Sequence, residues 1–248
     1  MTSYPALISY LHGVVVAHSN LRGEVLITVI AISIVKELKE KAPALMLGCI
    51  SAQVRVEERN DALWGEIETR AAILATHITL EQMSELPQIA QQRHAYKAVG
   101  KDPRRYRGSA EALLRRIIQG KGLYQVNTLV DINNLISLET RHPVGCYDRS
   151  KLQAPIVFRI GKAKETYQGI GKGDINIENL PVFADRLGAF GSPTSDSQRA
   201  PITKNTKNIL MIVIAFGGCS EMENLLERSI RLLQQYAAAD AIETKIIE

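Results

Sequence analysis

The chain contains little cysteine, with three residues in 248. Cys49, Cys146 and Cys219 lie far apart and form no CxxC pair, so the sequence predicts neither a disulfide framework nor a zinc site. The five histidines also lack the spacing of metal ligands. We therefore expect no metal, no cofactor and a reducing, cytoplasmic setting.

Long apolar runs are missing as well. No run reaches the roughly 18 residues that a membrane-spanning helix needs, so we expect no membrane partner. The apolar part of residues 1–24 is interrupted by polar residues and is not preceded by a basic residue, which argues against a signal peptide. A length of 248 residues with 46% hydrophobic residues is typical of a globular chain with one large domain or two small ones.

Acidic residues are scarce in one stretch, residues 93–123, where Asp102 and Glu111 oppose nine lysines and arginines. The net charge of the whole chain is only +4, so this excess is local. Cations with interleaved tyrosines, here Tyr96 and Tyr106, suit phosphate contacts and base stacking. The alternative is a solvated loop whose charges pair with acids elsewhere in the fold. The cations are Arg93, Lys97, Lys101, Arg104, Arg105, Arg107, Arg115, Arg116 and Lys121.

Four apolar segments predict strands, at residues 24–35, 48–58, 154–161 and 209–216. The second alternates apolar and polar residues and is expected to be half-buried, whereas the last is the most apolar and should be central. Helices fall between the strands without a regular βαβ rhythm. The pattern therefore predicts a mixed α/β or α+β fold.

Local signals also predict helix starts, a loop and a turn. Gly100, Pro103 and Gly108 make the segment GKDPRRYRG a loop. The segment GIGKGD, residues 169–174, is expected to be a hairpin turn and not a phosphate-binding loop. Helices are expected to begin at Asn60 or Asp61, at Thr79 with Gln82, at Ser109, and at Ser220 with Glu223.

Two polar segments are candidates for a pocket. Asp131, Asn133 and Asn134 stand among apolar residues, where buried polar side chains must find partners; they either organise a pocket or hold loops together. Residues 185–208 are rich in Gly, Ser, Pro and Thr, so they predict a mobile loop or a binding segment. Within them, SPTSDSQR (192–199) either covers a pocket or forms a flexible turn.

Three segments together resemble a known family. They are YKAVGKDPRRYRGSAEALLRRIIQGKGL, NTLVDINNLISLETRHPVGCYD and GSPTSDSQRAPIT. In order and spacing, the chain resembles a stand-alone version of the tRNA-binding and editing module of the beta subunit of bacterial phenylalanyl-tRNA synthetase, from about residue 27 to about 237. The resemblance implies one domain over residues 26–248, with residues 1–25 as an extension. It implies an α+β fold with β-sandwich-like mixed sheets flanked by helices.

The resemblance also implies RNA binding, and in the synthetase this module hydrolyses wrongly charged tRNA. Nothing here resembles an aminoacylation core. Gly145 stands where the family has an editing histidine, and Ile212 where it has a glutamate, so the hydrolytic groups are absent and enzyme activity is uncertain. The resemblance implies a pocket formed by Asp131, Asn134, Gly145, Tyr147, Asp148, Ser192, Ser195 and Asp196. The residues expected to bind RNA or another anion are Arg93, Lys101, Arg104, Arg105, Tyr106 and Arg107.

Two functions follow as hypotheses. The first is binding of tRNA or another RNA without catalysis, through arginines 104 to 107. The second is hydrolysis of a misacylated tRNA by a pocket-bound water, or sensing of a small aminoacyl or anionic ligand. Both need unneutralised guanidinium groups beside a cleft that holds Asp131 and Asn134.

Overall fold

The computed structural model describes residues 31–248. The expected extension at residues 1–25, and the part of the first predicted strand before residue 31, lie outside the described residues. The elements, in chain order, are β1 (Ile32–Ile34), α1 (Lys36–Lys41), β2 (Met46–Gln53), α2 (Asp61–His77), α3 (Leu80–Met83), α4 (Pro87–Ala98), α5 (Ser109–Ile118), α6 (Thr128–Thr140), β3 (Val144–Asp148), β4 (Ile156–Ile160), β5 (Thr166–Gln168), β6 (Asp174–Asn176), β7 (Pro181–Asp185), β8 (Gly188–Gly191), β9 (Asn208–Ala215), α7 (Met222–Ala237) and β10 (Asp240–Ile247).

Two four-stranded sheets form the centre of the fold. One has the strand order β1-β4-β7-β8, with β1 parallel to β4 and the other pairs antiparallel. The other has the order β10-β2-β9-β3 and is antiparallel throughout. The predicted hairpin around residues 169–174 is confirmed as the pair β5-β6. The central position predicted for residues 209–216 is confirmed as well, because β9 lies between β2 and β3.

Aromatic residues fill the space between the two sheets. The rings of Phe158 and Phe183 are stacked with centroids 4.3 Å apart, and the ring of Tyr147 meets Phe190 edge-on at 4.9 Å. All four side chains are essentially excluded from water. Such aromatic pairs add roughly 0.5–1.5 kcal/mol each beyond the area they bury, so this layer holds the two sheets together.

Helices α2, α6 and α7 cover the other face of the second sheet and bury a second apolar core. A third, smaller cluster joins α2 to α5 at the end of the helical layer. The predicted α+β fold, with sandwich-like sheets flanked by helices, is thus confirmed. None of the helices within residues 31–248 combines the length and apolarity needed to cross a bilayer.

The expectation that the strand at 48–58 is half-buried is wrong. β2 ends at Gln53 and is buried on both faces, including Ser51, because one face meets the aromatic layer and the other meets the helices. The loop predicted at residues 185–208 contains β8, which pairs with β7. The sequence pattern misses both features because it shows only local alternation.

Helix starts follow the local signals in two of four places. The side chain of Asn60 accepts from the backbone N–H of Leu63, and Thr79 forms the predicted capping box. Ser109 does not cap α5, since Gly108 is the N-cap and the backbone N–H of Ser109 donates to Pro193. The capping box predicted at Ser220 is also absent, because α7 begins after Glu221 with no side-chain cap.

Candidate nucleic-acid interface

The loop between α4 and α5, residues 99–108, is held in place by Lys101. Its ammonium donates to the carbonyl oxygens of Asn176 at 3.2 Å and Glu178 at 2.5 Å. Gly100 precedes it with φ 82°, a left-handed conformation that glycine adopts without strain. Lys101 is only 7% exposed, and burial lowers its pKa. This predicted anion-binding residue therefore anchors the loop to the β6 end of the hairpin.

Neither of the two tyrosines predicted to stack on bases has a ring that is fully accessible to a ligand. Tyr96 is a core residue, and its hydroxyl shares a 2.9 Å hydrogen bond with Thr194, so a stacking role for it is wrong. Tyr106 is half-buried against the aromatic layer, and the ammonium of Lys101 lies 3.8 Å from its ring centroid. One face of the Tyr106 ring is therefore occupied by a cation from the same loop.

A buried carboxylate neutralises two of the predicted cations. Glu111 is 1% exposed and accepts from Arg93 Nε at 3.0 Å and Arg93 Nη2 at 2.6 Å. The Nε of Arg107 lies 3.7 Å from the same carboxylate. The hydrogen bonds to Glu111 raise the pKa of Arg93. The expectation of wholly unneutralised arginines is therefore wrong for Arg107.

Three other cations of this region remain available. Lys97, Arg104 and Arg105 are exposed and form no ion pair with any residue from 31 to 248. The backbone N–H of Arg104 donates to Asp102 Oδ1 at 2.9 Å, which fixes the turn that presents its side chain. A groove of about 550 Å³ lies here, and its lining residues are Arg93, Lys97, Gly100, Lys101, Asp102, Pro103 and Arg104.

Asp131 and Asn134 do not line this groove. The carboxylate of Asp131 accepts from Trp64 Nε1 at 2.8 Å and from the backbone N–H of Val126 at 3.1 Å. It ties the start of α6 to α2 and to the loop before α6, and burial raises its pKa. Asn134 is half-buried on the same helix. Within residues 31–248, the groove beside the arginines therefore does not include Asp131 or Asn134, and Asp131 holds loops together.

Several predicted pocket residues do meet, between the two sheets. The hydroxyl of Tyr147 donates to Asp196 Oδ1 at 2.8 Å, and burial raises the pKa of Asp196 to about 7. A Cβ atom placed on Gly145 would lie 2.4 Å from the Tyr147 hydroxyl, and one on Gly191 would lie 2.2 Å from it. The Tyr147 side chain therefore fills the space between these glycines.

The segment 192–199 is tied down by hydrogen bonds. Ser192 Oγ accepts from the Tyr167 hydroxyl at 3.0 Å and donates to the Ser195 carbonyl at 2.8 Å. The Tyr167 hydroxyl also hydrogen-bonds that carbonyl. Asp148 accepts from Thr206 Oγ1 at 2.9 Å and from the Ser150 backbone N–H at 3.0 Å, so it holds the turn after β3. These predicted pocket residues thus have structural partners.

Gly145 and Ile212 are direct neighbours across the β3-β9 pair. Ile212 is fully buried in the aromatic layer. Neither side chain can transfer a proton or orient a water. Among residues 31–248, no three His, Cys, Asp or Glu side chains converge as a set of metal ligands.

The family model for the B3/4 domain matches residues 91–248, which include the groove, the four aromatic residues between the sheets and α7. The chain belongs to the B3/4 domain family. This confirms the resemblance drawn from the three sequence segments.

Known relatives of this B3/4 domain include the "Phenylalanine--tRNA ligase beta subunit" of Fusobacterium nucleatum, 29% identical over 105 residues, a match that covers 42% of this chain and 13% of that subunit. The subunit of the same name from Bifidobacterium longum is 30% identical over 105 residues, covering 39% and 12%. The N-terminal fragment of the phenylalanyl-tRNA synthetase beta-subunit from Pyrococcus horikoshii is 15% identical, with a TM-score of 0.44, over 88% of this chain and 50% of that one. The chain thus matches about an eighth of the length of its curated relatives.

Two features of this B3/4 domain were not singled out from the sequence as site residues. Lys97 lies four residues after Arg93 on α4, a spacing that places both on one helix face, so a signal was present. Tyr124 is 70% exposed after α5, and the guanidinium of Arg116 lies 4.2 Å from its ring centroid. Tyr124 lies in a loop, where no helix or strand periodicity in the sequence indicates which side chains are exposed.

Proposed function

We propose that this B3/4 domain binds RNA through the groove at the α4-α5 loop, and that tRNA is its RNA. The proposal depends on one observation. Lys97, Arg104 and Arg105 are exposed in one short stretch and have no acidic partner within residues 31–248. Exposed cations held close together attract a polyphosphate chain because each contact releases condensed counterions.

The loop is suited to this role because it is anchored. Lys101 is bonded to two carbonyls and packed on Tyr106, so the backbone that carries Arg104 and Arg105 is held before any ligand binds. A preformed loop loses less conformational entropy on binding. Arginine can contact a phosphate with two parallel hydrogen bonds, which adds orientation to attraction.

The groove favours contacts with phosphates over recognition of bases. Its lining contains cations, glycine, proline and one carboxylate, and no asparagine or glutamine for reading adenine, and its exposed cations attract phosphates of any sequence. Binding of weak sequence preference is therefore expected. The relatives of known sequence are phenylalanine–tRNA ligase beta subunits, which makes tRNA the first RNA to test.

Hydrolysis of a misacylated tRNA has less support. Gly145 and Ile212 carry no proton-transfer group, and Tyr147 fills the space beside Gly145. Asp196 is engaged by the Tyr147 hydroxyl.

The test compares two triple variants in a binding titration with unmodified tRNA at about 0.15 M salt. The first, called the groove variant, combines Lys97→Gln and Arg104→Gln, which line the groove, with Arg105→Gln in the loop beside it. The control, Lys36→Gln with Lys41→Gln and Arg231→Gln, removes three exposed cations that do not line the groove.

With roughly 0.7 counterion released per phosphate contact on a single strand, three lost contacts lower the affinity about 50-fold at this salt concentration, and with roughly 0.9 per contact on a duplex they lower it about 170-fold. The control variant should bind within about threefold of the parent, since distant exposed charges are screened. Equal affinity of the groove variant and the parent would refute the proposal.

A further inference from the structure

A second cavity lies at the other end of the helical layer, where the last turn of α6 meets the start of α7. Its volume is about 330 Å³, within the range of small-ligand pockets. It shares none of its lining with the RNA-binding groove. The lining residues are Gln88, Ile136, Glu139, Thr140, Arg141, His142, Cys219, Glu221, Asn224, Leu225 and Arg228.

One pair of charges in this cavity is already satisfied. Arg228 donates to Glu139 through Nε at 3.2 Å and through Nη2 at 3.0 Å. The same Nη2 lies 3.1 Å from Glu66 Oε2. These groups form a fixed wall, so any charge available to a ligand must come from elsewhere in the cavity.

Arg141 is the available cation. It ends α6 in a left-handed conformation with φ 62°, which is uncommon for a residue other than glycine. Its Nη1 donates to the Glu139 carbonyl at 2.8 Å, but its Nε is buried and has no acceptor among residues 31–248. Arg141 lines the cavity and forms no ion pair with any residue from 31 to 248, so its charge is available to an anionic group bound there.

His142 is a second polar group of the cavity wall. It is only 5% exposed and lines the cavity, yet its ring nitrogens make no hydrogen bond with any described residue. Burial lowers its pKa to about 4, so the ring is neutral at physiological pH. A neutral imidazole offers one donor and one acceptor to a ligand.

The start of α7 contributes backbone donors. Helix α7 has 16 residues and no side-chain hydrogen bond at its N-cap Glu221. Its first amide, that of Met222, donates to the Cys219 carbonyl at 3.2 Å, so the amides of Glu223 and Asn224 are the ones without an acceptor among residues 31–248. Helix N-termini attract anions. Glu221 itself is exposed on the cavity wall and forms no ion pair within residues 31–248, so it is the available anion.

We propose that this cavity binds a small zwitterion, a compound with one carboxylate and one ammonium group. The carboxylate faces Arg141 and the first amides of α7, and the ammonium faces Glu221. The amide side chains of Gln88 and Asn224 and the ring of His142 supply further hydrogen bonds. A dianion such as phosphate is disfavoured, because Glu139 and Glu221 already place negative charge on the wall.

The first test uses free L-amino acids as probes, one at a time, in thermal unfolding of the parent. For the compound with the largest effect, the matching amine without a carboxylate and the matching acid without an amine are measured too. Only the zwitterion should raise the midpoint. A flat panel would overturn the proposal, and an equal effect of the amine or the acid would overturn the zwitterion assignment.

Thermal unfolding at increasing concentrations of the effective amino acid also tests which residues bind it. Arg141→Gln should weaken binding of the effective amino acid at least about tenfold, as expected for a charge-assisted hydrogen bond, whereas Arg141→Lys keeps the charge and should bind within about threefold. Arg231→Gln, which removes an exposed charge of α7 that does not line the cavity, should bind like the parent. Unchanged binding by Arg141→Gln would contradict the assignment.

A second test needs no natural ligand, because Cys219 lines the cavity and is half-buried. Iodoacetate carries a carboxylate and iodoacetamide does not, so the ratio of their alkylation rates at Cys219 reports the attraction of the cavity for a carboxylate. The ratio should fall about fivefold in Arg141→Gln, as expected for loss of one nearby unit charge, and stay unchanged in Arg141→Lys and Arg231→Gln. The same ratio in Arg141→Gln and the parent would overturn the proposal.

Discussion

The pair formed by Glu111 and Arg93 makes a prediction with two opposite readouts. The side chain of Glu111 is 2% exposed and that of Arg93 is 30% exposed. Breaking a buried ion pair costs about 3–5 kcal/mol, but water can solvate the exposed part of Arg93, so we expect Glu111→Gln to cost about 2–3 kcal/mol. For a chain of this size that lowers the unfolding midpoint by about 5–10 °C.

The same substitution should tighten RNA binding. Removing the carboxylate frees the guanidinium of Arg93, which lines the groove, and that of Arg107 in the adjoining loop. One or two additional phosphate contacts in about 0.15 M salt predict an affinity gain of about 4-fold to 15-fold. A variant that is less stable and yet binds RNA more tightly cannot be explained by damage to the fold.

The assay is a double-mutant cycle with Arg93→Gln, Glu111→Gln and the double variant. Each protein is measured by urea unfolding, for stability, and by titration with tRNA, for affinity. Two charge-assisted hydrogen bonds predict a coupling free energy of about 2 kcal/mol between the two positions. A midpoint shift below about 2 °C in Glu111→Gln, or weaker RNA binding by that variant, would refute the reasoning.

Three further predictions concern buried groups. Gly145→Ala places a Cβ atom 2.4 Å from the Tyr147 hydroxyl and should cost about 1–3 kcal/mol in urea unfolding; an unaltered midpoint would contradict the packing. Burial raises the pKa of Asp196 to about 7, so the contribution of Asp196 to the free energy of unfolding is lost as pH rises from about 4 to about 7. Burial lowers the pKa of His142 to about 4, so the contribution of His142 increases as pH rises from about 4 to 6.5. Asp196→Asn should therefore unmask a stability curve that rises from pH 4 to 6.5 more steeply than that of the parent. Lys101→Met leaves two carbonyls without a donor and should cost about 1–3 kcal/mol in thermal unfolding; no loss would contradict the anchor role.

Short-range signals predicted helices where no distant contact competed. Asn60 and Thr79 cap α2 and α3 as expected, because their side chains reach backbone amides within the same turn. Ser109 is not the cap because α5 begins one residue earlier than expected, with Gly108 at the N-cap and the Ser109 backbone N–H bonded to the carbonyl of Pro193, a residue far along the chain. Such a contact leaves no trace in the local sequence.

The candidate site also has features that the sequence could predict and features that it could not. The exposure of Arg104 and Arg105 could be predicted, because a loop between two helices places its charges in water. The burial of Glu111 was predictable in principle, since it lies three residues before Leu114 on the apolar stripe of α5. The separation of Asp131 from the arginines was not, because it depends on how α6 packs on the sheet.

The two positions that the family resemblance compares with an editing histidine and glutamate, Gly145 and Ile212, are neighbours across β3 and β9. The resemblance did not predict what occupies the space beside them. In the sequence, glycine at position 145 looks like the loss of a functional side chain. In the structure, the absence of a Cβ atom at this position leaves space for the Tyr147 hydroxyl, which donates to Asp196.

The most direct measurement of the central claim is the salt dependence of tRNA binding by the parent and by the triple groove variant, over about 50–200 mM monovalent salt. The parent should lose affinity with rising salt, and its log–log slope should be steeper than that of the variant by about 2, from three contacts at roughly 0.7 each. Identical slopes for the two proteins, or no binding by the parent at the lowest salt, would contradict the account.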